Sequence, residues 1–175
     1  MSTTQGIDFS RLSLKDALDL AVLIEEEAKE RYEEFAEQME AHHTPEAARF
    51  FRFMSSNEEK HRAELAARRA SLFGSAPSSV SRRMIFDVEA PEYDEARVFM
   101  TAREALQSAM RSEQKAHAFF VQALPSLTDP EVRALFEELR DEEVEHQDLV
   151  RAQLAKLPPA AEVDGSAFED EPVGH

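Results

Sequence analysis

The chain has 175 residues, with 36 acidic side chains against 20 basic ones for a formal charge of −16, and it contains no cysteine. Disulfides, thiolate metal sites, iron–sulfur clusters and cysteine nucleophiles are therefore excluded from it. The acidic balance argues against nucleic acid, whose binding rests on Lys and Arg neutralising phosphates.

The length suits one domain. The opening stretch MSTTQGIDFSRLS lacks the apolar core of a signal peptide, and no run of 18 apolar residues occurs. The expectation is a soluble, cytoplasmic protein without membrane contact. All four Gly and all eight Pro lie outside, or at the first turn of, long stretches rich in Ala, Leu, Glu and Arg, which predicts an all-α fold.

Residues 1–12 read as an N-terminal extension. Ser13-x-x-Asp16 resembles a capping box and opens a first helix to about His42, whose apolar stripe runs through Leu14, Leu18, Ala21, Ala28, Tyr32, Phe35 and Met39. Thr44-Pro45-Glu46 is the grammar of an N-cap, a first-turn proline and a first-turn acid, and it starts a second helix to about Phe73. A third helix is expected over Asp94 to Leu124. Asp129-Pro130-Glu131 repeats the Thr44 grammar and opens a fourth helix to about Leu157. Between the second and third helices lies FGSAPSSVSRRMIFDVEAPEY, too long for a tight turn and long enough to travel the length of a bundle. Two helical hairpins joined by a crossover make a four-helix bundle over 13–157. From Pro158 to residue 175 the chain is polar and acidic and is expected to be a disordered tail.

The chain also repeats itself. With Pro45 laid on Pro130, Phe51 falls on Phe136, Glu58 on Glu143 and His61 on His146 without a gap. A lone Glu-x-x-His is weak evidence in so acidic a chain, and Glu40-x-x-His43, at the end of the first helix, is expected by accident. Glu143 and His146, however, share a helix face with Leu139, Val150 and Leu154, and Glu58 and His61 share one with Phe51, Met54 and Leu65. Glu25 is in line with Leu18, Ala21 and Tyr32, and Glu113 with Leu106, Ala109 and Phe120. Counted from the hairpin loops, these positions fall within about one turn of each other at about 1.5 Å per residue, so the six side chains can converge.

Four converging carboxylates in an apolar seam repel one another and lose hydration unless something positive joins them. Two divalent cations balance the four charges, and two neutral imidazoles complete the donor set. Oxygen-rich ligation with one His per metal suits Fe(II) or Mn(II) better than a closed zinc site, so two Fe ions are the expected cofactor, with Mn the alternative. Tyr32 is a candidate to hydrogen-bond a ligand carboxylate, against a core role. His117, four residues after Glu113, is a candidate for a further ligand or proton relay, against a packing role.

Over roughly 13–157 the chain resembles the rubrerythrin branch of the ferritin-like superfamily, through Glu25-x-x-Ala28-x-x-x-Tyr32, Glu58-x-x-His61, Glu113 and Glu143-x-x-His146. The resemblance implies a ferritin-like di-iron bundle in which Glu58 and Glu143 bridge two metals, Glu25 and Glu113 are terminal ligands, and His61 and His146 serve one metal each. It also implies reaction of a diferrous centre with O2 or hydrogen peroxide. Two departures stand out. Rubrerythrins proper carry a four-Cys rubredoxin domain, which this chain lacks, so any electron donor must be another protein or ferrous iron itself. They also usually place a carboxylate three residues after the third-helix Glu, where this chain has Ala116; ferrous oxidation gains ground over peroxide turnover. The function expected is a ferroxidase or rubrerythrin-like peroxidase for iron handling or oxidative-stress defence, in a homodimer or higher homo-oligomer. The alternatives are a module that stores metal or oligomerises without catalysis, and a di-iron or di-manganese oxidase acting on an organic substrate.

Overall fold

The computed structural model describes residues 7–89 and 101–159. Five α-helices follow in chain order: α1 Leu14–Ala41, α2 Pro45–Phe73, α3 Arg82–Glu89, α4 Ala102–Ala123 and α5 Pro130–Lys156. The four long ones form two antiparallel hairpins, α1 with α2 and α4 with α5, in the all-α arrangement that periodicity predicts.

The helix starts follow local chemistry. Ser13 Oγ accepts from the Asp16 amide at 3.1 Å, and Asp129 Oδ1 accepts from the amides of Glu131 at 2.8 Å and Val132 at 3.3 Å, satisfying first-turn donors that have no partner inside the helix. Thr44 precedes α2 without capping it; its hydroxyl donates to the His42 carbonyl instead. The turn between α1 and α2 places His43 at φ 57°, a left-handed residue that closes the hairpin in three residues.

α4 begins later than expected. Thr101 is extended and forms a complete capping box with Glu104, so the helix starts at Ala102. The expected stretch from Asp94 to Met100 lies outside the described residues, as does the tail from residue 160 onward. The crossover contains a helix that no long-range periodicity announces: α3, two turns long, packs on α1 and α4 through the fully buried Ile85. Arg82 anchors it by a two-point contact with Glu30 on α1, both at 2.8 Å. The N-terminal extension joins the bundle too. Phe9 sits edge-on to Phe119 and Phe136 at centroid distances of 5.7 and 6.4 Å.

The apolar interior is divided. One cluster, containing Leu18, Ile24, Ile85, Phe120, Phe136 and Leu139, fills the end of the bundle where α3 docks. The other, containing Tyr32, Phe35, Met39, Phe51, Met54 and Val150, fills the opposite end. Between the two clusters each long helix buries polar side chains: Glu25 on α1, Glu58 on α2, Glu113 on α4, and Glu143 and His146 on α5, all at most 4% exposed.

Candidate metal centre

This buried polar belt is the product of helix phase. α5 buries Val132, Leu135, Phe136, Leu139, Glu143, His146 and Val150, a continuous stripe at spacings of three and four, so Glu143 and His146 are carried inward with the residues above and below them. The same argument carries Glu58 inward between Met54 and Leu65, Glu25 between Ala21 and Ala28, and Glu113 between Ala109 and Ala116. Glu40, by contrast, lies on the surface and holds Arg52 through two contacts of 2.8 Å.

The side chains meet. His146 Nδ1 lies 3.3 Å from Glu58 Oε1, 3.4 Å from Glu113 Oε2 and 3.8 Å from Glu143 Oε2. His61 Nδ1 lies 3.9 Å from Glu25 Oε2, and the two imidazoles stack with centroids 5.4 Å apart and planes 11° from parallel. The donors form three overlapping groups: Glu58, His61 and His146; Glu113, Glu143 and His146; and Glu25, His61 and Glu142. In each, the ligand atoms lie within 4.8 Å of one another. Tyr32 donates its hydroxyl hydrogen to Glu113 Oε1 across the bundle. His117 is half-buried on α4 and belongs to none of the three groups.

Glu142 is the residue that sequence reasoning misses. It precedes Glu143 and so lies about 100° round the helix from the buried seam, where phase assigns it to solvent. Its long side chain nevertheless reaches back to place Oε2 3.8 Å from His61 Nδ1. No spacing signal marks it; only the juxtaposition of α5 with α2 does.

The electrostatics are those of charge forced indoors. Burial lifts the carboxyls of Glu25 and Glu58 above the usual range, Glu58 well above it, with the charge of Glu25 adding to the effect there. Burial, then the charge of Glu25, push Glu142 up to about 7. Burial alone would disfavour a charged His146, but its contact with Glu113 and the charge of Glu58 hold its proton up to about 10. In the same way burial opposes ionisation of Glu113, and the nearby His146 keeps its carboxyl below the ordinary value. His61 is pushed down by burial and by the charge of His146. Burial also keeps Tyr32 well above its usual value, so its hydroxyl remains a donor.

The chemistry of the donor set fits bound metal cations. Glu25 Oε2, Glu58 Oε1, His61 Nδ1 and Glu142 Oε2 are shielded from solvent, face the belt and make no hydrogen bond, a costly arrangement for polar atoms that cations would relieve.

Comparison with known proteins agrees with this geometry. A family model described as Rubrerythrin matches residues 16–154. A solved structure described as an uncharacterized conserved protein from Magnetospirillum magnetotacticum MS-1 is similar at 31% identity and a TM-score of 0.69, over 84% of this chain and 97% of that one. No curated protein matches the sequence. With the matched segment containing α2 and α4 whole, α1 and α5 but for two residues at the outer end of each, and every side chain of the buried belt, the chain belongs to the rubrerythrin family of ferritin-like proteins.

Proposed function

We propose that the protein is a di-iron oxidoreductase that oxidises Fe(II) with O2 or hydrogen peroxide. The observation that carries this reading is the belt itself, where four buried carboxylates and two imidazoles from four helices converge between two apolar clusters. Glu25, Glu58, His61, Glu113, Glu143 and His146 would hold the ions, Fe(II) being favoured over Zn(II) by the oxygen-rich donors. Two ferrous ions there would supply one electron each, the two that reduce hydrogen peroxide with two protons to two waters, or O2 with two protons to peroxide.

The protein's own groups do the rest. Glu58 and Glu143 are central, each within 4 Å of His146. Tyr32 fixes the orientation of Glu113 by donating to one of its oxygens and leaving the other toward His146. The two apolar clusters close the belt above and below, which excludes bulk water and strengthens every charge interaction inside. Access is left on one side, where His61 and Glu142 remain 20% and 26% exposed. That opening suits ions and small oxidants. The cleft of about 270 Å³ lined by Lys29, Glu33, Arg52, Ser55, Ser56 and Glu59 is charged rather than apolar, which weighs against an organic substrate seated in it.

The test is oxidation kinetics. Protein loaded anaerobically with Fe(II) and then exposed to air is expected to develop ferric absorbance faster than the same Fe(II) in buffer. Binding followed by oxidation no faster than in buffer would leave a storage protein and refute the catalytic reading.

A further inference from the structure

We propose that Glu142 is a ligand to the more exposed of the two ions, so that the two metal positions are inequivalent: an outer one held by Glu25, His61 and Glu142, and an inner one held by Glu113, Glu143 and His146. The inference rests on the dinuclear reading above and adds a fifth carboxylate to it.

The ordinary expectation for a glutamate at such a helix position is a solvated side chain or a surface ion pair. Glu142 is neither. Its Oε2 is shielded from solvent and without a hydrogen bond, and among the described residues its ion-pair contact is His61. Cations on the flanking turns are engaged elsewhere: Arg62 by Glu59 at 2.8 Å, Arg68 by Glu138 at 3.8 Å and Arg140 by Asp141 at 2.8 Å.

The second observation is independent of Glu142. Glu25, 3% exposed, turns an unpartnered Oε2 to the same point, and His61 does so with an unpartnered Nδ1. Three donors of the right type, from α1, α2 and α5, thus lie within 4.8 Å of one another around one volume. On the α4 side Ala116 is fully buried and offers no donor.

The asymmetry follows from burial. Glu113, Glu143 and His146 have side chains no more than 5% exposed, whereas His61 and Glu142 border the solvent. Glu58 lies between the sets, 3.3 Å from His146 and grouped with His61. An ion at the outer position therefore sits in the route by which ions enter and leave, and is the weaker and more exchangeable of the two.

Anaerobic titration of the full chain with Co(II), followed by its visible absorption and by calorimetry, tests this without turnover. Wild type is expected to bind two ions per chain in distinguishable steps. E142Q and E142A are expected to weaken the weaker step about 10- to 100-fold and leave the tighter one unchanged. E138Q, one turn away on the exposed surface, removes the same charge without removing a buried donor and is expected to shift either step by no more than about threefold. Equal effects of E142Q and E138Q, or two unchanged steps in E142Q and E142A, would overturn the assignment of Glu142 and leave the dinuclear reading standing. Failure of wild type to bind Co(II) at all would instead remove the dinuclear reading, and the assignment with it.

Discussion

At the scale of single residues, the belt depends on how its carboxylates and imidazoles are held as much as on which they are. Tyr32 stacks its ring over Phe51 at 6.0 Å while its hydroxyl donates to Glu113, so it fills core and holds one carboxylate of the belt. The helix carrying Tyr32 could be read from periodicity, but its partner on α4, 81 positions away, could not. Tyr32→Phe keeps the packing and removes one hydrogen bond, and is expected to lower metal affinity about 10- to 100-fold with little change in melting temperature. Calorimetric titration checks this, and an unchanged affinity would make Tyr32 a core residue only. Glu142 marks the opposite limit: a phase argument works by helix face, and a long flexible side chain can return to a seam from the neighbouring face. His117, one turn from Glu113 on α4, is not among the grouped donors, because a spacing of four constrains height and face but not reach.

At the scale of elements, the long helices are legible because each carries several turns of apolar stripe, and three of them a recognisable start; the capping box of Thr101 and Glu104 that opens α4 is not among the starts read from the sequence. α3 is not legible, since two turns contain too few residues for periodicity to separate a helix from a loop. Its docking is still substantial. Ile85→Ala is expected to destabilise the protein by about 2–5 kcal/mol, measured by denaturant unfolding, against no more than about 0.5 kcal/mol if the crossover were a surface loop. The α1/α2 hairpin is pinned by Asp19, whose Oδ1 accepts from Arg69 Nε at 2.7 Å while Arg69 also donates to the Gly74 carbonyl at 2.8 Å. Burial opposes ionisation of Asp19, but Arg69 and Lys15 hold its carboxyl below the usual value. A lowered carboxyl contributes stability that is present above the unfolded value near pH 4 and is lost as pH falls through the folded one. Thermal melts of Asp19→Asn should accordingly show a shallower loss of stability below about pH 4 than wild type; identical acid limbs would mean the pair contributes nothing.

At the scale of the whole molecule, a bundle that could have one continuous apolar core instead has two, separated by a layer of acids and imidazoles. Such a layer lowers the stability of the protein without metal, because each buried carboxylate loses hydration and repels its neighbours. Each of the four long helices contributes to this layer, and the proposed function rests on it. The most direct measurement is an anomalous difference map from crystals grown anaerobically with Fe(II). Two iron peaks are expected within the belt, among Glu25, Glu58, His61, Glu113, Glu143 and His146. A single peak, peaks only on the acidic surface, or none at all would contradict the account.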